Sequence, residues 1–197
     1  MSHRISYAVV AVLVVFMATP LFAADSARDL LAAGRIDDAI ATLNTRLSSA
    51  PADAESANLL CRSYYALEAW DRAEAACKKA VSIDSNNSRY HLWLGRVYGE
   101  KADRAGFLGA ASLVGKVRDE FQRAVQLDPA EIDTRLDLVE FYIEAPGIVG
   151  GGEDKAREQA KTIGKTDPGR EHWVYARIAE KKKNPAAAEQ EYHQFID

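Results

Sequence analysis

The sequence has little of the chemistry that catalysis or metal binding needs. It has four histidines and two cysteines in 197 residues. His3 lies in the N-terminal segment. His91, His172 and His193 are scattered, with no second histidine or cysteine three or four positions away, so no convergent metal site is expected. No Gly-x-Ser-x-Gly elbow and no His-Glu-x-x-His motif occurs. Neither an enzymatic activity nor a cofactor is therefore expected. A basic surplus is also missing: 25 Lys and Arg stand against 29 Asp and Glu, a formal net charge of -4. Nucleic-acid binders usually carry the opposite balance, so no nucleic-acid partner is expected. The charges form no long block of one sign. What is present, 48% apolar and 27% charged residues, suits a folded soluble chain.

The first residues form a separate object. Residues 1–6 carry Arg4, residues 7–18 are almost purely apolar, and Thr19 and Pro20 break the run. Ala23 and Ala24 then stand just before Asp25. A basic start, a short apolar run and small residues at its end describe a secretory signal peptide, expected to span residues 1–24 and to be cleaved near Ala23 or Ala24. The run is short against the roughly 20 residues of a membrane span. The remainder, residues 25–197, is expected in a periplasm or outside the cell. The alternative is a retained anchor in the inner membrane. No cysteine lies near the cleavage site, which argues against a lipid-anchored form.

The body repeats itself. Ala39 and Ala73 are 34 residues apart (73 − 39), as are Pro51 and Ser85, Leu60 and Leu94, Cys61 and Gly95, and Tyr64 and Tyr98. Asp37, Asp71 and Asp154 each precede an alanine by two positions, namely Ala39, Ala73 and Ala156. They are expected to cap the second helix of a pair, with Ile36 and Trp70 stapling the helix entry. Small residues (Ala39, Ala73, Ala80, Gly95, Ala124, Ala156) recur where paired helices must come close. Leu60, Tyr64, Leu94, Tyr98 and Phe121 fill the spaces between pairs.

With its 34-residue period, its Leu94-Gly95-x-x-Tyr98 segment and its closing Leu127-Asp128-Pro129 and Asp167-Pro168, the chain resembles the tetratricopeptide repeat family. The resemblance implies an all-α, right-handed solenoid of antiparallel helix pairs, about ten helices after the signal peptide. The repeats are expected at about residues 25–52, 53–86, 87–130, 131–168 and 169–197, the first without a full opening helix. From Ser85 to Pro129 is 44 residues, so the third repeat is longer by 10; from Pro129 to Pro168 is 39, longer by 5. The elongated third repeat and the Ala-Pro-Gly-Ile-Val-Gly-Gly-Gly segment are similar to a bacterial subgroup of the family. The implied role is that of a scaffold or adaptor that binds a protein or peptide segment. The alternative is an accessory or peptide-binding module acting on a cell-envelope enzyme or transport system.

In such a stack the first helix of each pair lines the concave side. The positions expected to face outward there include Asn58, Arg62, Tyr65, Arg89, Trp93, Arg96, Trp173 and Arg177. Arg62 and Arg96 are 34 apart and share one slot. Some members of the family hold a peptide's terminal carboxylate with Lys, Arg and Asn on this face. Asn58, Arg62 and Arg96 match that pattern in part, since its lysine positions are unfilled here. An acidic partner segment follows as the expected ligand, set against a merely solvated face. Cys61 and Cys77 occupy facing slots of one helix pair, where they either form a disulfide or remain two buried thiols. The glycines of residues 147–152 are followed by Glu153 and Asp154, which excludes a phosphate cradle and leaves a sharp turn. The apolar insertion at residues 105–114 either extends a helix of its own repeat or presents a surface to a partner or a membrane.

Overall fold

The computed structural model describes residues 21–196. Among them stand ten α-helices and no strand: α1 (Leu21–Ala32), α2 (Ile36–Ser49), α3 (Ala54–Ala66), α4 (Trp70–Ile83), α5 (Ser88–Arg104), α6 (Phe107–Leu127), α7 (Ile132–Glu144), α8 (Glu153–Ile163), α9 (Pro168–Lys181) and α10 (Pro185–Ile196). Each odd helix pairs with the even helix that follows, and each even helix packs on the next odd one. The result is a stack of five hairpins in chain order. The expected signal segment lies outside the described residues except for positions 21–24, which fall in α1. Beyond the expected signal segment, α1 keeps residues 25–32, fewer than the opening helix of any later hairpin. No helix among the described residues is long and apolar enough to cross a membrane.

The alanine slots explain how closely the helices approach. Ala39, Ala73, Ala80, Ala124 and Ala156 are all fully buried. Gly95 is tighter still, because a Cβ there would lie 2.6 Å from the Phe121 ring. Cys61 and Cys77, both fully buried, are joined in a disulfide between α3 and α4, with their Cα atoms 5.1 Å apart. The insertion of the third repeat lengthens both helices of its hairpin, α5 to 17 residues and α6 to 21.

The helix starts correct one expectation. Asp37, Asp71 and Asp154 are not caps; each lies in the first turn, after Arg35, Ala69 and Gly152 at the cap position. There their charge favours the positive end of the helix dipole. Ile36 and Trp70 are correspondingly the first helical residues rather than staples outside the helix. Side-chain caps open the odd helices instead. Asp53, Asn87, Glu131 and Asp167 accept from the backbone amides of Ser56, Arg89, Asp133 and Arg170.

The even helices follow a different signal, a left-handed turn that closes the preceding helix. Gly34, Glu68 and Lys183 have φ of 73°, 54° and 57°. In each turn the next amide reaches back five residues, Arg35 to Leu30, Ala69 to Tyr64 and Asn184 to Ala179. Gly34 and Glu68 are again 34 apart (68 − 34).

The glycine segment makes the sharp turn before α8. A short 3-10 helix, Gly147–Val149, ends at Gly150 with φ 103°. A Cβ on Gly151 would lie 1.7 Å from the Ala145 carbonyl oxygen, so only glycine fits there.

Candidate functional site on the concave face

The odd helices carry the polar residues that link one hairpin to the next. Tyr65 donates to Glu100 at 2.9 Å, Arg96 to Asp137 at 2.6 Å, Arg177 to both oxygens of Glu140 at 2.9 and 3.0 Å, and Lys181 to Glu144 at 2.6 Å. Arg170 pairs with Asp133. Glu140 and Glu180 together push the Arg177 guanidinium well above its ordinary range. Burial and the Glu100 carboxylate push the Tyr65 phenol up to about 12.

Within this ladder one place stands apart. The Trp93 ring receives two guanidinium groups, with Arg62 Cζ 5.1 Å and Arg96 Cζ 4.7 Å from its centroid. The Tyr65 ring meets Trp93 edge-on at 5.4 Å. Arg62, Arg89, Trp93 and Arg96 line one cavity of about 440 Å³ together with Asp128, Glu131, Asp133 and Thr134. Arg96 is matched by Asp137, but neither Arg62 nor Arg89 forms an ion pair among the described residues. The Arg62 Nε is buried without a hydrogen-bond partner. Burial lowers the Arg62 pKa; Glu55 opposes this, while Arg89, Arg28 and Arg96 add to it. The cavity thus holds arginines and carboxylates together, but Arg62 and Arg89 pair with none of its carboxylates.

The residues expected on this face fall into three groups. Arg62, Arg89, Trp93 and Arg96 come together, with Tyr65 at their edge. Asn58 does not face outward: it is fully buried, and neither its amide nitrogen nor its carbonyl oxygen has a partner. It lies one turn before Arg62 on the same side of α3, but in a stretch, Ser56 to Cys61, that is buried throughout. Trp173 and Arg177 lie on α9 and line neither this cavity nor its neighbour. Trp173 packs against the core, and the Arg177 charge is taken up by Glu140 and Glu180.

A neighbouring cavity of about 490 Å³ escaped the sequence reading. It opens between α5, α6 and α7, over an apolar floor of Val114, Val117, Phe121 and Phe141. Successive odd helices pack directly at α1–α3, α3–α5 and α7–α9, whereas α5 and α7 approach more loosely. The signal available in the sequence was Asp133, Asp137, Glu140 and Glu144, whose spacings of four, three and four put them on one face of α7. Among the described residues no cluster of His, Cys, Asp and Glu is arranged to hold a metal ion.

Comparison with known proteins places this geometry. Residues 30–97 match the family model of the tetratricopeptide repeat. No curated protein matches the sequence. Among solved structures, the chain is similar to TTC0263, a thermophilic TPR protein of Thermus thermophilus, with a TM-score of 0.72, 17% identity and 90% of each chain covered. It is similar to YrrB, described as a TPR protein with an unusual peptide-binding site, at a TM-score of 0.63 and 19% identity, over 91% of this chain and 86% of that one. Human IFIT1, solved as a dimer with m7Gppp-AAAA, gives a TM-score of 0.76 at 20% identity, over 90% of this chain but 42% of that one. At these identities the likeness carries the fold alone.

Proposed function

We propose that this chain, which carries tetratricopeptide repeats over residues 30–97 and has the fold of tetratricopeptide repeat proteins throughout its described residues, is an exported scaffold that holds an acidic segment of a partner protein on its concave face. The observation that carries the reading is the Arg62–Trp93–Arg96 stack beside Arg89, in which two of three arginines have no carboxylate of their own. A partner carboxylate would pair with Arg62 and Arg89, which the cavity's own Asp128, Glu131 and Asp133 leave unpaired, and arginine with tryptophan is the composition of binding hot spots. The net charge of -4 favours a protein partner over a nucleic acid, whose phosphates would meet a surface negative on balance. A short free peptide would satisfy the same stack, and this keeps the peptide-binding module as the second reading.

The test uses a glutamate-rich peptide and the variant Arg62→Gln with Arg89→Glu. The native chain should bind the peptide with salt-sensitive affinity, and the variant should lose at least tenfold. Equal binding by both proteins would refute the reading.

Export is supported by Arg4, the apolar residues 7–18 and the small residues Ala23 and Ala24. The Cys61–Cys77 disulfide agrees with it, since such bonds persist in oxidising compartments. N-terminal sequencing of the protein recovered from cell fractions should find a start at Ala24 or Asp25 in the periplasm or medium. A start at Met1 in the cytoplasm would contradict export.

A further inference from the structure

The cavity between α5, α6 and α7 shares Arg96 with the arginine stack beside it but is otherwise acidic where it is charged. Its apolar floor is walled by five carboxylates, Glu100, Asp103, Asp137, Glu140 and Glu144, against one cation, Arg96. Glu100, Asp137 and Glu140 already accept from Arg104, Arg96 and Arg177, but Asp103 is exposed and has no ion pair among the described residues. Burial raises the Asp137 pKa in spite of Arg96, and Asp133 and Glu140 add to that rise.

A second, independent observation is Gly99, which lines the cavity from the interior of α5. Glycine is among the poorest helix formers. One turn earlier Gly95 has a packing reason, the Phe121 ring. At Gly99 a Cβ would meet nothing within 4 Å, so packing does not demand glycine there. What the missing side chain does is leave the cavity open.

We infer that this cavity receives a lysine or arginine side chain of the partner segment, its methylene stem on the apolar floor and its charged head among the wall carboxylates. The stem-and-head match excludes an acidic side chain and distinguishes a basic one from a purely apolar one. The placement of the rest of the segment rests on the arginine-stack reading proposed above. From Trp93 to Gly99 is six residues of helix, about 9 Å at the usual rise. An extended segment crosses that distance in about three residues. The partner should therefore carry an acidic residue and a basic residue about three positions apart.

The test is a backbone-amide NMR titration with two separate probes, N-acetyl-arginine methylamide and N-acetyl-glutamate methylamide. The arginine probe should shift Gly99, Val114 and Phe141 saturably. Gly99→Arg, which fills the cavity with a cation of its own, should weaken that binding at least tenfold and leave the glutamate shifts at Trp93 in place. Asp103→Lys, on the exposed wall, should act in the same direction. The peptide acetyl-Glu-Ala-Ala-Arg-amide should bind at least tenfold more tightly than either probe, because its second contact is intramolecular. Absence of arginine shifts at the cavity, shifts that survive Gly99→Arg, or equal shifts with N-acetyl-norleucine methylamide would overturn the inference. Arginine shifts without any glutamate shifts at Trp93 would instead refute the arginine-stack reading and uphold the cavity's ligand.

Discussion

The arginines of α9 and those of α3 and α5 belong to the same series of odd helices, yet they are held differently. Arg170 and Arg177 are spoken for by Asp133, Glu140 and Glu180, so their charge ties α9 to α7 and is compensated within the chain. Arg62 and Arg89 have no such carboxylate, and the α3–α4 hairpin behind Arg62 is fastened by a disulfide instead. Ion pairs join neighbouring hairpins in both halves, Lys101 to Glu74 and Arg28 to Glu55 in the first, but the first half adds a covalent fastening and leaves Arg62 and Arg89 without an ion pair. The difference shows that arginine on a concave helix face is no signal of binding by itself. The distinguishing observation is whether the next odd helix supplies its carboxylate.

The largest way to disturb this contrast is to remove the covalent fastening. Cys61 and Cys77 are 16 residues apart in sequence. Replacing both by serine should lower the unfolding free energy by about 3 kcal/mol, the usual worth of a loop of that length. Urea unfolding with and without reductant checks it: reductant should move the native chain and leave the double variant unmoved.

A smaller effect separates the two kinds of arginine. Arg177→Met should cost about 1 kcal/mol at low salt and less at high salt, since the pair is bidentate but about a third exposed. Arg62→Met should change stability by no more than about 0.5 kcal/mol, because it removes an unsatisfied Nε along with the ring contact. Equal losses at both positions would erase the contrast.

His91 offers a pH handle in the middle of the stack. It is buried, with Nδ1 2.6 Å from Glu120 and Nε2 3.0 Å from the Ser85 carbonyl oxygen. Both partners accept, so the ring must be protonated to donate to both. The Glu120 hydrogen bond accordingly raises its pKa above 6.5; burial and Arg123 oppose this, and the Ser85 carbonyl supports it. A pKa raised on folding gives stability that is complete below the unfolded value and is lost as pH climbs through the folded one. Unfolding followed from pH 6 upward should show falling stability, by less than the disulfide effect, and His91→Gln should flatten that slope.

The smallest effect concerns the repeated turn. Gly34→Ala should destabilise by about 1 kcal/mol, whereas Glu68→Gly should be neutral or stabilise by a few tenths, because both positions require a positive φ. Melting temperatures of the two variants give the comparison directly.

The period was legible because it is written in steric necessity. Ala39 and Ala73, or Cys61 and Gly95, recur where two helices touch; the first three are fully buried, and a Cβ on Gly95 would strike the Phe121 ring. The extra length of the third repeat was equally plain from Ser85 and Pro129. Helix entry was less legible. Asp37 and Asp71 have the right residue type for a cap but stand inside the first turn, because the left-handed turn at Gly34 or Glu68 fixes where the helix begins. The members of the arginine stack could be named from spacing, but not their state of charge compensation. Arg62 and Arg96 share a slot, and only the fold shows that Asp137 answers one of them and no carboxylate answers the other. Asn58 shares its helix face with Arg62, and what the spacing does not contain is how much of that face the neighbouring helices cover. The neighbouring cavity depends on how far apart α5 and α7 stand, a quantity that the sequence period does not contain.

Whether Arg62 and Arg89 serve a partner rather than the fold is tested most directly by Arg62→Met with Arg89→Met. The double variant is measured for thermal unfolding and for binding of the glutamate-rich peptide in the same buffer. Service to a partner predicts a melting temperature within about 2 °C of the native chain together with at least a tenfold loss of binding. Full retention of binding, or a melting temperature lowered by about 8 °C or more, would contradict it.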